Sequence, residues 1–291
     1  MQYFLTMKKI FFLYILSFLS LTTNGQNIRA AYSFYYKTDI SQNKHHVQSD
    51  MMLDWCPTHS VFYNDANFHK DSLSVIAFDE DGSIKDTEAY QKIFDYRGGA
   101  SKDAIFIDFT TYKYRISYRL ATVYLSGEGI IEVPKWNFLP DSTITSTGFH
   151  VKKAVAEYLG RTWVVWYCED IPISAGPWLL WGTPGLIIHA HDSEGIFHFK
   201  LLDIQLFNSS IRYEQIYDYC FSPKIRTVHK YTYGIAKAEQ VHNRMMRDLD
   251  FLFSMAGESQ SKITIVDKKG ESAIINSSRD YIPLITDNYW K

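Results

Sequence analysis

The chain predicts a mainly β protein, an antiparallel meander with a single amphipathic helix in its C-terminal region. Aromatic residues make up 16% of the sequence and include 21 tyrosines, a composition suited to pleated, half-buried surfaces. Short runs of alternating apolar and polar residues recur along the chain, and local turn signals separate them. Strands joined by local turns form hairpins, whereas parallel strands need a long crossover between them.

Taken in order, the first element is not part of the fold. Lys8 and Lys9 precede an apolar run from Ile10 to Leu16, continued by Phe18, Leu19 and Leu21, and Thr22-Thr23-Asn24-Gly25 closes it. A basic start, a short apolar stretch and a small polar exit predict a secretory signal peptide over residues 1–25. The apolar run is about a dozen residues, short of the ~20 that a spanning helix needs. No cysteine stands at the junction, which argues against a lipoprotein anchor, and Met7 is an alternative start. Residues 26–291 carry no second long apolar stretch, no Pro/Ser-rich linker and no internal repeat. They are expected to form one soluble β domain, exported to the periplasm or secreted, without a transmembrane span.

Within that domain the strand patterns are Ala31 to Tyr36, Ser60 to Tyr63, Ala104 to Phe109, Tyr112 to Tyr118, Thr162 to Tyr167, Leu186 to Ala190, Ile196 to Ile204 and Ile263 to Val266. Asp81-Gly82, Gly98-Gly99, Gly127-Glu128-Gly129 and Lys269-Gly270 read as turns. Asp86 to Tyr96 fits helix or strand. Over residues 236–256, apolar Ala238, Val241, Met245, Leu249, Leu252 and Ala256 recur at intervals of three and four, which makes one helical stripe that Gly257 ends. Asp267 to Gly270 reads as a late hairpin turn, and Tyr281 to Lys291 as a tail over the sheet.

Charge narrows the function classes. The formal net charge is −2, and loss of Lys8 and Lys9 makes it more negative, so no basic footprint for nucleic acid exists. Three cysteines, Cys56, Cys168 and Cys220, allow one disulfide in an oxidising compartment, or small buried apolar side chains on strands. No Gly-x-Ser-x-Gly elbow, Walker loop, His-Glu-x-x-His or dinucleotide fingerprint occurs. No catalytic residue and no cofactor is predicted. A Cys168 nucleophile is disfavoured, because a buried thiol beside Glu169 has a raised pKa.

The most informative stretch runs from Gly160 to Ile187. A strand pattern around Trp163 enters a segment holding Pro172, Gly176, Pro177, Gly182, Pro184 and Gly185, and a second strand leaves at Leu186 and Ile187. Proline fixes φ and glycine permits positive φ, so such a loop loses less freedom on folding. It can hold Trp178, Leu179, Leu180 and Trp181 in one arrangement. Facing solvent, Trp178 and Trp181 make an aromatic platform for a protein partner or a sugar ring; turned inward, they plug one end of the sheet. Arg161 is a candidate ligand contact, or pairs with Glu169 or Asp170 at the strand entry. His189 and His191 share a face on a continuing strand, and His198 returns beside them across Asp192-Ser193-Glu194-Gly195. Three imidazoles are a possible zinc or copper site, although surface histidines on a hairpin explain the spacing equally.

Read together with its flanks, this stretch resembles the signature of the GLPGLI family of exported Bacteroidota proteins, whose members mostly lack an assigned activity. Asn27 to Lys37 resembles the family's first tyrosine-rich strand, and Ser60-Val61-Phe62-Tyr63 its Ser-x-Phe-Tyr element. Trp136, Asp141-Ser142-Thr143 and Gly148-Phe149 resemble the segment that leads to Lys152-Lys153-Ala154 and Gly160-Arg161-Thr162-Trp163. Ile171-Pro172-Ile173-Ser174 and Gly176-Pro177-Trp178 are intact. Thr183-Pro184 replaces the first Leu-Pro of the family's hexapeptide, and Val151 stands where many members carry cysteine. The resemblance implies a curved sheet, open-barrel or bowl-like, an architecture also similar to the N-terminal domain of some secreted peptide-N-glycanases. It implies an exported, non-enzymatic binding or accessory protein whose partner is an envelope protein, a peptide or a glycan. The alternatives are a hydrolase with dispersed residues and a histidine-based metal-binding protein.

Overall fold

The computed structural model describes residues 27–37, 47–79, 82–96, 104–120, 123–144, 149–207, 229–234, 263–266 and 272–275. Six strands come first: β1 (Asn27–Tyr36), β2 (Val47–Trp55), β3 (His59–Asn64), β4 (Ala104–Asp108), β5 (Lys113–Leu120) and β6 (Val123–Ile130). Five more follow: β7 (Asn137–Ile144), β8 (His150–Tyr158), β9 (Arg161–Cys168), β10 (Leu186–Asp192) and β11 (Phe197–Phe207). Each set is an antiparallel meander, and β1 pairs with β11 to join them into one sheet. β12 (His229–Gly234) adds in parallel to β6, so the twelve-stranded sheet ends in β12 on one side and β7 on the other and is not closed.

The alternation read from the sequence sets the two faces. Ile28, Ala30, Tyr32 and Phe34 of β1 point to one side together with Leu53, Ile105, Ile116, Ala154, Trp163, Val165, Ala190 and Phe199, all buried in a single apolar core. A core shared by β5 and β8, far apart in strand order, requires the sheet to curl around that face. Inside it, the Tyr32 hydroxyl donates 2.7 Å to the carbonyl of Ile187, which satisfies a fully buried polar group. Burial pushes the Tyr32 pKa far up, so the phenol stays a donor.

Among the described residues, one helix covers half of the outer face. α1 (Asp65–Ala77) follows β3 directly and lays Phe68 on Val61, Tyr63 and Ala104, with Met52 and Phe106 at the edge of this second cluster. Asn64 caps it by accepting from the Asn67 amide at 2.9 Å. Beneath, Asp54 is fully buried and accepts from both Arg29 Nε at 2.6 Å and Arg29 Nη2 at 2.5 Å, a bidentate geometry that compensates the loss of hydration.

Three expectations change. Asp86 to Tyr96 resolves as helix: α2 (Thr87–Lys92) starts at an Asp86 cap and runs into a 3-10 turn, Ile93–Asp95. The helix α1 was not foreseen, since its face to the sheet is narrow: only Phe68, Asp71 and Ala77 are buried. Gly127-Glu128-Gly129 is not a turn but lies inside β6, where the glycines stand opposite Ile116 and Tyr114 and Glu128 pairs with Arg115. β13 (Ile263–Val266) and β14 (Ser272–Ile275) form a separate antiparallel pair, as the late hairpin requires. The signal peptide, the helix at 236–256, Cys220 and the tail at 281–291 lie outside the described residues. Cys56 and Cys168 are free thiols.

Candidate ligand-binding face

The proline- and glycine-rich loop turns inward. Trp178 and Trp181 are 4% and 7% exposed, and Leu179 and Leu180 are fully buried. The solvent-facing platform is therefore corrected to a plug in the concave face: the Trp178 ring packs on Trp163, and Trp181 lies against Phe109 and Tyr112. Two indole donors pin it, Trp136 Nε1 to the Trp181 carbonyl at 2.7 Å and Trp181 Nε1 to the Glu132 carbonyl at 3.3 Å. The left-handed turn falls on Trp178 itself, with φ of 56°, a conformation costing on the order of 1–3 kcal/mol that burial of the ring offsets. The loop is held to the strand after it by the Leu186 amide on the Ile171 carbonyl and the Ile187 amide on the Ala175 carbonyl.

Arg161 is also committed to structure. It pairs with neither Glu169 nor Asp170 but with Asp192, at 3.0 Å, and with Glu194, at 3.5 Å. Its guanidinium lies 4.6 Å from the Phe197 ring centroid. With a side chain only 6% exposed, it is not available to a ligand. Glu169 instead takes Lys152, and His150 stands near Asp170.

The half of the outer face beyond α1 presents a row of rings. The register places Lys153, Trp166, His189, Lys200 and Ser33 opposite one another across β8, β9, β10, β11 and β1. The adjoining row is Val155, Val164, His191, His198 and Tyr35. Directly opposite residues in antiparallel strands have side chains in contact range. Trp166 stacks on His189 at 4.8 Å, and Tyr35 on His198 at 4.9 Å. His191 bridges the two pairs, 5.8 Å from His189 and 5.5 Å from His198. Lys153 Nζ lies 5.2 Å from the Trp166 centroid, a cation–π contact at the end of the row. All five rings are half-buried.

The three histidines thus share one surface, but not as a ligand set. Among the described residues no three His, Cys, Asp or Glu side chains converge to hold a metal ion. His191 Nδ1 lies 2.7 Å from the Asp192 carbonyl and His198 Nε2 3.1 Å from the Gly195 carbonyl. Carbonyls only accept, so those ring nitrogens carry protons and donate. The rings stack side by side instead of meeting at a point, which corrects the metal expectation for His189, His191 and His198 in this arrangement.

Desolvation lowers the His189 pKa to about 4, with the nearby His191, His198 and Lys200 adding to the effect. In the unfolded chain its pKa is 6.5, so below that value the unfolded state takes up a proton that the native state refuses. The stabilisation is complete above the unfolded value and is lost as pH falls to about 4. After allowance for solvent screening at a half-exposed site, on the order of 1–2 kcal/mol is expected. Denaturant midpoints measured near pH 7 and near pH 4.5 should fall less in His189→Gln than in the parent protein; equal falls would remove His189 as the cause.

One reactive group went unseen in the sequence. At the β2–β3 turn, Cys56 Sγ lies 3.3 Å from Thr58 Oγ1, which lies 2.8 Å from His59 Nδ1. Burial raises the Cys56 thiol, but hydrogen bonding from His59 and Thr58 outweighs it and brings the pKa down to about 7. Cys168 behaves oppositely, its pKa raised by burial. A Cys-x-x-His spacing across a two-residue hairpin was the available signal for Cys56.

The fold and this face define an open antiparallel β protein with a ring-lined outer surface and a plugged inner one. Residues 145–189, which span β8, β9 and the plug loop, match the family model described as "Protein of unknown function (Porph_ging)". No curated protein matches the chain. Two solved structures of PNGF-II, in space groups P21 and C2, are similar over 74% of this chain at 11% identity, with TM-scores of 0.48 and 0.47. The chain spans about a third of their length, 33% and 32%. At that identity and overlap the likeness says nothing of what this chain acts on.

Proposed function

We propose that this is an exported, non-enzymatic binding or accessory protein of the bacterial cell envelope, of the GLPGLI type, and that it binds through the outer face of β8 to β1. Export rests on the basic, apolar and small-polar succession of Lys8 to Gly25. The single observation that carries binding is the row of half-buried rings, Trp166, His189, His191, His198 and Tyr35. Half-buried rings stacked against one another across the strands, beyond the helix that shields β2 to β4, keep apolar area in contact with water that a ligand can remove. The loop residues Trp178 and Trp181 support this face from behind instead of forming it.

Isothermal titration of the full chain with envelope-derived glycan fragments and peptides tests the reading. Trp166→Ala is expected to weaken the ligand found by about tenfold, since one stacked ring contributes roughly 1–1.5 kcal/mol. The Cys56–Thr58–His59 arrangement favours the second reading, a thiol hydrolase. Turnover of any bound fragment that Cys56→Ala abolishes would replace the first reading with the second.

A further inference from the structure

We infer that Cys56 is a nucleophilic thiol, activated by His59 through the Thr58 hydroxyl, and that it exchanges with soluble disulfides to form a mixed disulfide at the β2–β3 turn. The three side chains make a relay. Cys56 Sγ lies 3.3 Å from Thr58 Oγ1, and Thr58 Oγ1 lies 2.8 Å from His59 Nδ1. With the imidazole proton on Nε2, the thiol donates to the Thr58 oxygen and the Thr58 hydroxyl donates to Nδ1. Moving both protons one place along leaves a thiolate and an imidazolium, the pairing that activates a thiol.

The frame around the relay is rigid. The Cys56 amide donates to the His59 carbonyl at 2.9 Å, and the His59 amide to the Cys56 carbonyl at 3.3 Å. Pro57 fixes φ between them, and the Phe109 amide holds the Thr58 carbonyl at 2.9 Å. The His59 ring stacks on Phe106, with 6.0 Å between centroids. Two acids stand by, and both are engaged. Asp108, opposite His59 in register, accepts through Oδ1 from the Thr110 hydroxyl and from the amides of Thr110 and Thr111. Asp54 is bound by Arg29. The turn is also open to a reagent: Pro57 and Thr58 are exposed, and Cys56 and His59 are half-buried. Cys168, the other described thiol, is fully buried.

Exchange balances without a further oxidant. The thiolate attacks one sulfur of a disulfide R–S–S–R, and a Cys56–S–S–R bond forms as the original S–S bond breaks. The departing thiolate takes the proton held by His59, so one disulfide and one thiol become one mixed disulfide and one new thiol. This step asks for a thiolate and an open approach, whereas hydrolysis also needs donors for an oxyanion. Burial pushes the Cys56 pKa up, but the hydrogen bonds from His59 and Thr58 hold it at about 7, close to where an attacking thiol works best at neutral pH. Disulfides persist outside the cytosol, where Lys8 to Gly25 is expected to direct the chain.

The full chain treated with glutathione disulfide, with peptide mapping of the adduct, tests the site. A dithiodipyridine, whose released product absorbs, gives the pH dependence of the rate. One adduct is expected, on Cys56, reversed by a dithiol and absent from Cys56→Ser, with Cys168 labelled only after unfolding. The rate should rise with pH through a midpoint of about 7. Thr58→Val and His59→Phe, which keep a branched side chain and a ring in place, should move that midpoint up toward the ordinary thiol value, roughly 8.5. At neutral pH the thiolate fraction then falls about fifteenfold, but the more basic thiolate attacks about fivefold faster, so the rate drops only about threefold. The midpoint is therefore the decisive reading. An unshifted midpoint in both variants, or a parent midpoint at the ordinary value, would overturn the relay. An adduct on Cys168 or Cys220 in place of Cys56, or Cys56 already joined to Cys220, would overturn the site. Neither result touches the ring face, which Trp166→Ala tests separately.

Discussion

Gly185→Ala is expected to destabilise the protein by about 3 kcal/mol or more, at the upper end of what overpacking costs. A Cβ at Gly185 would stand 1.9 Å from the Cys168 carbonyl oxygen, 2.4 Å from its carbon and 2.8 Å from the Glu169 amide nitrogen. All three are backbone atoms, so no side chain can rotate away. To admit one methyl group, the end of β9 must withdraw from the start of β10, where Leu186 pairs with Cys168. That movement also loosens the plug, because the Leu186 amide is bonded to the Ile171 carbonyl. Gly82→Ala is the control: its φ is +89° and nothing lies within 4 Å of the added Cβ, so it should cost only about 1 kcal/mol, from conformation alone. Thermal unfolding of the two variants separates steric from conformational cost. At 2–4 °C per kcal/mol for a chain of this size, Gly185→Ala should melt roughly 10 °C lower. A change no larger than that of Gly82→Ala would mean that strand and loop do not approach as closely as described.

This contact explains in part why the motif was legible and its role was not. Pro172, Gly176, Pro177, Gly182, Pro184 and Gly185 announce a stiff loop from composition alone, because their backbone preferences are local. Which way Trp178 and Trp181 turn depends on partners from β9, from the β4–β5 turn and from the segment before β7, such as Trp163, Phe109, Tyr112 and Trp136. Those are brought together by the curl of the sheet, and spacing in the sequence carries no record of it. The ring face shows the same division. His189, His191 and His198 were placed on one surface by a hairpin only a few residues long. Trp166 and Tyr35 complete the row from β9 and β1, and the β1–β11 pairing that delivers Tyr35 closes over most of the chain. The helix α1 escaped notice because its buried stripe is short, whereas its Asn64 cap resembles an ordinary turn residue. Arg161 was misassigned for a related reason. Arg161 opens β9, whereas Glu169 and Asp170 follow its other end, so the acids beside Arg161 are those of the neighbouring hairpin.

Removing the acid at that hairpin is the second large effect expected. Asp192→Ala should cost about 3–5 kcal/mol, the range for stripping one partner from a buried ion pair. Asp192 is 1% exposed and uses both oxygens: Oδ2 accepts from Arg161, while Oδ1 accepts from the amides of Ile196 at 2.7 Å and Phe197 at 2.9 Å. Alanine leaves the Arg161 guanidinium buried with the exposed Glu194 carboxylate 3.5 Å away, and it strands two buried amide donors besides. The net worth of the pair is a separate quantity. In Arg161→Met with Asp192→Asn both charges go, yet an acceptor oxygen remains for the two amides. That double variant should lose less than Asp192→Ala alone, since neutral replacement spares the desolvation of an unpaired charge. Urea unfolding of the two proteins reads the difference directly as a shift in midpoint at constant slope. If the double variant is as unstable as the single one, the energetic weight lies in the ion pair itself and not in the orphaned groups. The comparison bears on the outer face too, because Asp192 ends β10 and its turn sets His191 opposite His198. A double variant that keeps this turn should keep the stacked imidazoles, and with them the surface offered to a ligand.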